Sequence, residues 1–419
     1  MITVIDSPCG AGKTTWAIKY MNEHLEDKFI YVTPFLNETD RIMDNIKYDC
    51  VTPKYVASGE NKTENLKRLI EYGHHVISTT HSLILKLTSD IIKLLEDNNY
   101  ILILDEELEV INVSNVKSDD IKMFSGGKFA KVDEDGRVSL NKEFSSNYMV
   151  KELCDRVEVG SLYCTTYTNS KKELCYNVFD VFPKEVFNAF KKVFIMTYMF
   201  RYQIMRRYMD IFGLEYDLKS IKDGILTAYT ELGVNKDRLT VLSVPNDKTM
   251  IGYYKFDLTK SWYDNTANID NINTLHGKMR YSLSSALKAK ADDIMWTCYK
   301  KHYNMLSAKG FKNSFVPCNS RATNEFSNRH YIAYMINRYM NPAIKDFLRG
   351  FSTDSPELLD MFEDMWAVSE LIQFVYRSAI RNGEKIKLYL PSKRMSDSLR
   401  LFINNYGNDK NIIYYIQNS

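Results

Sequence analysis

Ser7-Pro8-Cys9-Gly10-Ala11-Gly12-Lys13-Thr14-Thr15 is the stretch that decides how the rest of this chain is interpreted. It follows a short apolar run at residues 2–5 and leads into apolar side chains with helical spacing. This context predicts a strand, a glycine-containing loop and the start of a helix. Glycines let backbone amides wrap a phosphate, and a helix N-terminus adds a positive dipole. The stretch therefore predicts a phosphate-binding loop, or P-loop.

The side chains of this loop suit ATP and Mg²⁺. We expect Lys13 to reach the β- and γ-phosphate oxygens and the Thr14 hydroxyl to hold Mg²⁺. The other predicted nucleotide contacts in the loop are Ser7, Gly10, Gly12 and Thr15. Ser7 replaces the first glycine of the G-x-x-x-x-G-K-[ST] pattern, which is a small departure. A glycine turn before an ordinary helix is the weaker alternative, because the flanking elements also fit.

A second stretch, Tyr100–Glu107, supplies the carboxylates that a P-loop needs. Its apolar residues do not alternate with polar ones, which is typical of a parallel strand covered on both faces. Carboxylates at the carboxyl end of such a strand lie in the ligand crevice of an open α/β sheet. We expect Asp105 to coordinate Mg²⁺ through water and Glu106 to activate the water that attacks the γ-phosphate.

Composition sets broad bounds. The chain has 419 residues, of which 45% are hydrophobic, and a net charge of +2. That length allows two or three domains. Its seven cysteines contain no C-x-x-C pair, which favours reduced thiols over zinc or disulfides. We find neither a signal peptide nor an apolar run long enough for a membrane, so a cytoplasmic protein without a membrane partner is expected.

Two more strands are predicted near residues 29–34 and 76–82, so strands and helices alternate in a doubly wound α/β pattern. Hydroxyls and amides at strand ends are good phosphate contacts and can hold the backbone of a single nucleic-acid strand. Taken separately, these residues are ordinary loop chemistry. The predicted nucleic-acid contacts in this half are Thr33, Pro34, Arg41, Thr79, Thr80 and His81.

A long polar section from residue 108 to about 190 separates the carboxylate strand from the next strand, at 193–196. Within it, Asp133-Glu134-Asp135-Gly136 lies between alternating segments and predicts a β-hairpin turn. This section therefore reads as an insert in the first domain.

In the second half, strands and helices are again predicted to alternate, but there is no second P-loop motif. Strands are predicted at 294–299, from residue 314 and at 386–391, and a helix over 331–339 that stops at Pro342. Gln373, Arg377 and Arg381 are spaced i, i+4, i+8, which predicts one face of a helix. A plain basic surface is one reading. The other is an arginine finger, which stabilises charge in the transition state of phosphoryl transfer.

Together these segments resemble the motif series of superfamily 2 helicases, in a compact form like those encoded by bacteriophages. In chain order, Ser7–Thr15 is similar to motif I, Thr33–Arg41 to motif Ia, Ser78–Ser82 to motif Ib, Asp105–Glu107 to motif II, Thr197–Phe200 to motif III, Trp296–Lys301 to motif IV, Arg321–Asn324 to motif V and Gln373–Arg381 to motif VI. The usual motif VI would place its second arginine at Ile380, so Arg381 stands one position late.

The resemblance implies an α/β fold with two RecA-like parallel-sheet domains in tandem and an insert in the first. The expected division is 1–213, a connecting segment at 214–290, and 291–419. It implies ATP hydrolysis with Mg²⁺, catalysed by Lys13, Glu106, Arg377 and Arg381, with Gln373 on the nucleotide. It adds Lys300, Arg321, Thr323 and Asn324 to the nucleic-acid contacts.

The leading interpretation is an ATP-dependent helicase or translocase acting on DNA in phage replication or recombination, in the host cytoplasm and with replication proteins as partners. A remodelling or loading ATPase that never separates strands is one alternative, and a P-loop kinase is another. The sequence leaves open DNA against RNA, the direction of travel and the oligomeric state.

Overall fold

The computed structural model describes residues 1–55, 61–126, 130–140, 151–230, 236–307, 310–318 and 325–404. It divides the chain into two compact units. The first contains residues 1–7, 11–230 and 341–354, and the second contains 8–10 with the described parts of 231–340 and 355–419. Each unit is built around its own parallel β-sheet.

Strands and helices alternate along most of both units. The strands are β1 (Ile2–Asp6), β2 (Lys28–Thr33), β3 (Cys50–Val51), β4 (Val76–Thr80), β5 (Tyr100–Asp105), β6 (Ile111–Val113), β7 (Ala130–Val132), β8 (Val138–Leu140), β9 (Leu162–Thr168), β10 (Leu174–Val181), β11 (Lys192–Thr197), β12 (Tyr216–Lys222), β13 (Ile225–Ala228), β14 (Leu239–Leu242), β15 (Ile294–Thr297), β16 (Tyr331–Tyr334) and β17 (Ile386–Tyr389). The α-helices are α1 (Lys13–Glu23), α2 (Leu36–Asn45), α3 (Lys62–Tyr72), α4 (His81–Ile84), α5 (Ser89–Asn98), α6 (Ser118–Gly126), α7 (Lys151–Glu158), α8 (Lys184–Asn188), α9 (Ile204–Phe212), α10 (Lys260–Asp264), α11 (Ile269–Arg280), α12 (Tyr303–Leu306), α13 (Pro342–Phe351), α14 (Pro356–Val375) and α15 (Lys393–Asn404). Over the described residues, none of these helices combines the length and apolar character needed to cross a membrane.

The sheet of the first unit has the order β13-β12-β1-β11-β5-β2-β4-β3 in the described residues. All neighbours pair in parallel except β12 and β13. Every residue of β1 and the first five of β5 are buried, as expected for central strands covered on both faces. The carboxyl ends of β1, β11 and β5 are therefore adjacent, and the predicted strands of this half are confirmed.

The predicted insert between β5 and β11 is a small α+β module. Strands β6, β10 and β9 form an antiparallel sheet, and β7 pairs with β8. The predicted hairpin turn is confirmed: Gly136 lies between β7 and β8 with φ +75°, and a Cβ there would come within 2.6 Å of the Cys164 carbonyl oxygen. The module has its own apolar core, which includes Val138, Leu162 and Val178.

A later segment of the chain completes the first unit. Helix α13 packs on the insert, with the Phe347 ring centroid 4.9 Å from that of Phe179 and 6.3 Å from that of Tyr163. Just after the helix, the Asp354 carboxylate lies 3.0 Å from the Arg207 guanidinium on α9. Residues 341–354 therefore belong to the same packed body as the insert and α9.

Phe347 carries much of this packing because its side chain is fully buried. We expect Phe347→Ala to lower the free energy of unfolding by about 3–5 kcal/mol, since it leaves a cavity among aromatic rings. Denaturant unfolding followed by circular dichroism measures this loss. Arg349→Ala on the exposed face of the same helix is the matched control, and a loss for Phe347→Ala no larger than the control's would contradict the packing role.

The second unit contains a four-stranded parallel sheet in the described residues, with the order β14-β17-β16-β15. The predicted strands near 294–299 and 386–391 are confirmed as β15 and β17. The helix predicted over 331–339 is wrong. Residues 331–334 form the buried strand β16, and α13 begins at Pro342, where the missing N–H of proline is tolerated.

Two other predictions in this half need correction. Helix α14 ends at Val375, so Arg377 and Arg381 do not share a helical face with Gln373. The Ser378 hydroxyl donates to the Val375 carbonyl at 2.6 Å, and the backbone leaves the helix for extended geometry at Ser378. The strand expected from residue 314 is reduced to a single bridge between Phe315 and Trp296.

The division into units differs from the expected boundaries at 213 and 291. Strands β12 and β13 extend the first sheet beyond residue 213. The segment expected to connect the domains also contains β14, which pairs with β17 in the second sheet.

Candidate functional site

The predicted P-loop lies at the carboxyl end of β1. The Ser7 amide donates to the Thr197 carbonyl at 3.0 Å, and the Ser7 hydroxyl accepts the Ile221 amide at 2.8 Å, so the loop starts from a fixed point. Gly10 and Gly12 have φ values of +87° and +89°, which side chains other than glycine rarely adopt. Helix α1 then begins at Lys13. This is the strand-loop-helix geometry that the sequence predicts.

The Lys13 ammonium curls back over this loop and donates to the Ser7 carbonyl oxygen at 2.5 Å. Thr15, the next residue of α1, is exposed. The loop therefore brings a lysine cation and a helix N-terminus to one place. That combination suits the phosphates of a nucleotide.

Two oxygen groups meet beside the loop. The Thr14 hydroxyl lies 3.3 Å from Asp105 Oδ2, and Asp105 is the last residue of β5. Hydroxyl and carboxylate oxygens are the hard donors that Mg²⁺ prefers, so these residues fit the predicted metal. Burial raises the pKa of Asp105 to about 6, and the neighbouring charge of Glu106 acts in the same direction. A bound cation would favour the ionised carboxylate.

Glu106 and Glu107 have different surroundings. Glu106 has a left-handed backbone with φ +71°, and its amide donates to the Met196 carbonyl at 2.9 Å. A non-glycine residue held in this conformation is costly and often lies at a functional site. Glu107 instead accepts the Met205 amide at 3.2 Å. Glu106 is therefore the better candidate for chemistry, and Glu107 ties β5 to α9.

Sequence reasoning missed two residues of this site. The Tyr31 hydroxyl on β2 donates to Asp105 Oδ2 at 2.5 Å, and Tyr31 is fully buried. The Asp6 carboxylate accepts the amides of Met199 and Phe200 at 2.7 and 3.1 Å. Burial raises the pKa of Asp6 against the effect of these hydrogen bonds. Asp6 was detectable as an acid at the end of a buried strand, whereas nothing in sequence links Tyr31 to Asp105.

Tyr31 is a positioning residue for Asp105, and its removal is testable. We expect Tyr31→Phe to raise the Mg²⁺ concentration needed for half-maximal ATP turnover by about tenfold, since outer partners of metal ligands commonly have such effects. Mn²⁺ binding in the presence of ADP, followed by electron paramagnetic resonance, gives a readout independent of turnover. Tyr100→Phe is the control, because it removes a buried hydroxyl bonded to the His74 carbonyl at the other end of β5. Equal metal affinity in both variants would refute the role.

The predicted nucleic-acid residues of the first unit lie at the carboxyl ends of β2 and β4 or in the segments that follow them. Thr33 and Thr79 are buried, whereas Thr80 and Pro34 are half-buried. Arg41 is exposed on α2 and lies 3.2 Å from Glu38. His81 Nε2 lies 2.9 Å from the Asp105 carbonyl oxygen, which links this row to the carboxylate strand.

The predicted residues of the second unit are more scattered. Lys300 is exposed after β15. Gln373 is half-buried on α14, and Arg381 is half-buried in the 3₁₀ turn at 379–382. Arg377 is buried, with its guanidinium carbon 5.5 Å from the Phe374 ring centroid. Arg321, Thr323 and Asn324 lie outside the described residues.

Two family models match the chain. Residues 2–117 match the family described as type III restriction enzyme, res subunit, and residues 235–403 match the YonV C-terminal Rossmann-like domain. The first match spans motifs I and II and confirms the resemblance to superfamily 2 helicases.

Individual proteins were also compared. The chain is 33% identical to the SPbeta prophage-derived uncharacterized protein YonV of Bacillus subtilis (strain 168) over 430 residues, which covers 96% of this chain and 99% of that protein. Among solved structures, one described as XPD_APO is 11% identical with a TM-score of 0.49 and covers 95% of both chains. S. tokodaii Xpd4 is 11% identical with a TM-score of 0.48, over 98% of this chain and 95% of that one. The α/β fold itself follows from the two sheets of the chain.

Proposed function

This chain belongs to the YonV family, and from that premise and the geometry of its P-loop we propose that it is an ATP-dependent nucleic-acid helicase or translocase. DNA is the proposed substrate, and phage replication or recombination in the host cytoplasm is the proposed setting. The prophage origin of the YonV relative supports that setting. Replication proteins are the proposed partners.

One observation supports the proposal above all others: the approach of the Thr14 hydroxyl to Asp105 within 3.3 Å, beside the Lys13 ammonium. These residues are 91 positions apart in sequence and come from the P-loop and the carboxylate strand. A hydroxyl, a carboxylate and a lysine at a helix N-terminus are the parts that ATP hydrolysis needs.

Each residue then has a distinct task. Lys13 neutralises charge on the β- and γ-phosphate oxygens, and the loop amides with Gly10 and Gly12 hold the phosphates. Thr14 and Asp105 hold Mg²⁺, which supplies charge neutralisation at those oxygens when bound. Glu106 takes a proton from the attacking water. Arg377 and Arg381 remain the proposed guanidinium groups that stabilise charge on the γ-phosphate, and Gln373 remains a proposed nucleotide contact.

The nucleic-acid side of the proposal rests on the resemblance. Thr33, Pro34, Arg41, Thr79, Thr80 and His81 in the first unit, with Lys300, Arg321, Thr323 and Asn324 from the second half, are the proposed strand contacts. Backbone contacts of this kind carry little sequence information, so we expect binding with weak sequence preference and a steep dependence on salt.

ATP turnover measured with and without single-stranded DNA, single-stranded RNA and duplex DNA tests the proposal. We expect stimulation by nucleic acid, strongest with DNA. Strand displacement on a forked DNA then separates a helicase from a translocase or loading ATPase that leaves the duplex intact. Turnover that ignores every nucleic acid would contradict the proposal, and phosphate transfer to a small acceptor would favour the kinase alternative.

A further inference from the structure

A loop in the second unit has exposed aromatic side chains on a backbone that is held by several hydrogen bonds. We call residues 252–258 the aromatic loop. It lies at the carboxyl edge of the second sheet, where the Gly252 carbonyl accepts the Lys393 amide at 2.8 Å, just after β17. Gly252 has φ +90°, and a Cβ there would lie 1.7 Å from the Pro391 carbonyl oxygen. Only glycine allows the loop to come this close to the sheet edge.

The backbone of the aromatic loop is bonded on several sides. The Asp257 carboxylate accepts the amides of Gly252 and Tyr254 at 3.0 and 3.1 Å. The Asn337 side chain donates to the carbonyl oxygens of Lys255 and Asp257 at 2.8 and 2.9 Å. The loop then ends at Leu258, which is fully buried. These bonds hold the backbone of the loop in place.

The rings on this fixed backbone nevertheless face water. Tyr254 is 57% exposed and Phe256 is 63% exposed, although both carry large apolar surfaces. Lys255, between them in sequence, is also exposed, with its ammonium 5.7 Å from the Phe256 ring centroid. The Tyr339 ring centroid lies 5.8 Å from that of Phe256. Rigid aromatic side chains lose little entropy when they bind a partner.

The chemistry of the aromatic loop selects one partner. Two rings that flank a lysine can stack on the faces of bases while the ammonium approaches a phosphate. The one carboxylate of the loop, Asp257, accepts backbone amides, and the one cation of the loop, Lys255, is exposed. Lys300, an independently predicted strand contact, lies on the same edge, since its neighbour Tyr299 donates to the Asn337 carbonyl at 3.0 Å.

We propose that Tyr254, Lys255 and Phe256 form a stacking site for single-stranded nucleic acid. The inference rests on the proposed function, which it deepens by assigning a binding surface outside the helicase-like motifs. Stacking accepts every base, so the site has no sequence preference. The rings supply affinity that does not depend on salt, whereas Lys255 supplies one phosphate contact that does.

Fluorescence anisotropy with a labelled 20-nucleotide oligothymidine, and with the matching oligouridine, tests the site. We expect Tyr254→Ala and Phe256→Ala each to weaken binding by at least about fivefold, because a base-aromatic stack is lost. Tyr254→Phe keeps the ring and should bind as the wild type does. Lys255→Gln should reduce the steepness of log affinity against log salt by about 0.7, the value for one phosphate contact on a single strand, while the alanine variants keep the slope.

Tyr281→Ala is the matched control, since Tyr281 is a 65% exposed tyrosine of the same unit on another segment. Thermal unfolding confirms that each variant is folded, and ATP turnover without nucleic acid should be unchanged in all of them. Wild-type affinity of the double alanine variant would overturn the stacking site. The proposed function would still stand if nucleic acid stimulated its turnover.

The same variants separate other outcomes. If the wild type binds no oligonucleotide and its turnover ignores nucleic acid, both proposals fall. If light scattering shows that the double alanine variant loses a dimer present in the wild type, while oligonucleotide affinity is unchanged, the loop is a protein contact and the stacking site is wrong.

Discussion

Lys13→Ala should lower ATP turnover by about 10²–10³-fold or more, because it removes the positive charge that we propose neutralises the phosphates. In the structure this ammonium already lies inside the P-loop, 2.5 Å from the Ser7 carbonyl oxygen. Phosphate release measured at saturating nucleic acid gives the loss. Binding of single-stranded DNA should remain nearly intact, since its proposed contacts lie elsewhere.

Lys19→Ala is the control for this variant. Lys19 lies on the same helix, α1, where its ammonium is exposed and 3.8 Å from Glu23. We expect this change to leave turnover at the wild-type rate. If Lys13→Ala retained more than a tenth of that rate, the P-loop would not be the hydrolytic site.

Glu106→Gln should lower turnover by roughly 10²–10⁴-fold, the usual contribution of a general base. The amide cannot take a proton from water, yet it keeps the size of the side chain and the left-handed backbone at φ +71°. Affinity for ATP, measured with a fluorescent analogue, should change little because Thr14 and Asp105 remain. The variant should therefore hold ATP without hydrolysing it.

Glu107→Gln distinguishes the two adjacent acids. Its side-chain oxygen can still accept the Met205 amide, so we expect near-wild-type turnover. If Glu107→Gln lost most of its turnover and Glu106→Gln lost little, Glu107 would be the general base and Glu106 would not.

The parts of the fold that were predictable are those that a short run of neighbouring residues determines. The strand before the P-loop and the carboxylate strand each combine a largely apolar run with polar residues at its carboxyl end, and both are confirmed as strands of one sheet, β1 and β5. The turn at Gly136 was predictable for the same reason, because only a few residue types suit a tight hairpin.

The wrong predictions concern elements whose structure depends on contacts with distant parts of the chain, which a local pattern does not reveal. Tyr331 and Tyr334 have a spacing that fits a helix, but a short apolar run buried on both faces fits a parallel strand equally well. Similarly, the spacing of Gln373, Arg377 and Arg381 continues past the end of α14. The helix does not resume after Val375, and the Ala379 amide instead donates to the Arg329 carbonyl at 2.9 Å.

The candidate site shows the same division. Lys13, Thr14, Asp105 and Glu106 could be named from two motifs, and the structure brings Thr14 to Asp105. Tyr31 could not be named, since its hydroxyl meets Asp105 only because β2 pairs with β5 in this register. A partner from a neighbouring strand depends on sheet order, which sequence spacing does not reveal.

The return of α13 to the first unit has a practical consequence for dissecting this protein. A fragment cut at residue 230 would leave behind the helix that covers Phe179 and Tyr163, and would present those rings to solvent. Such a piece is expected to be prone to aggregation although it retains the whole P-loop. Recombinant halves should therefore be designed by grafting residues 341–354 through a linker rather than by simple truncation.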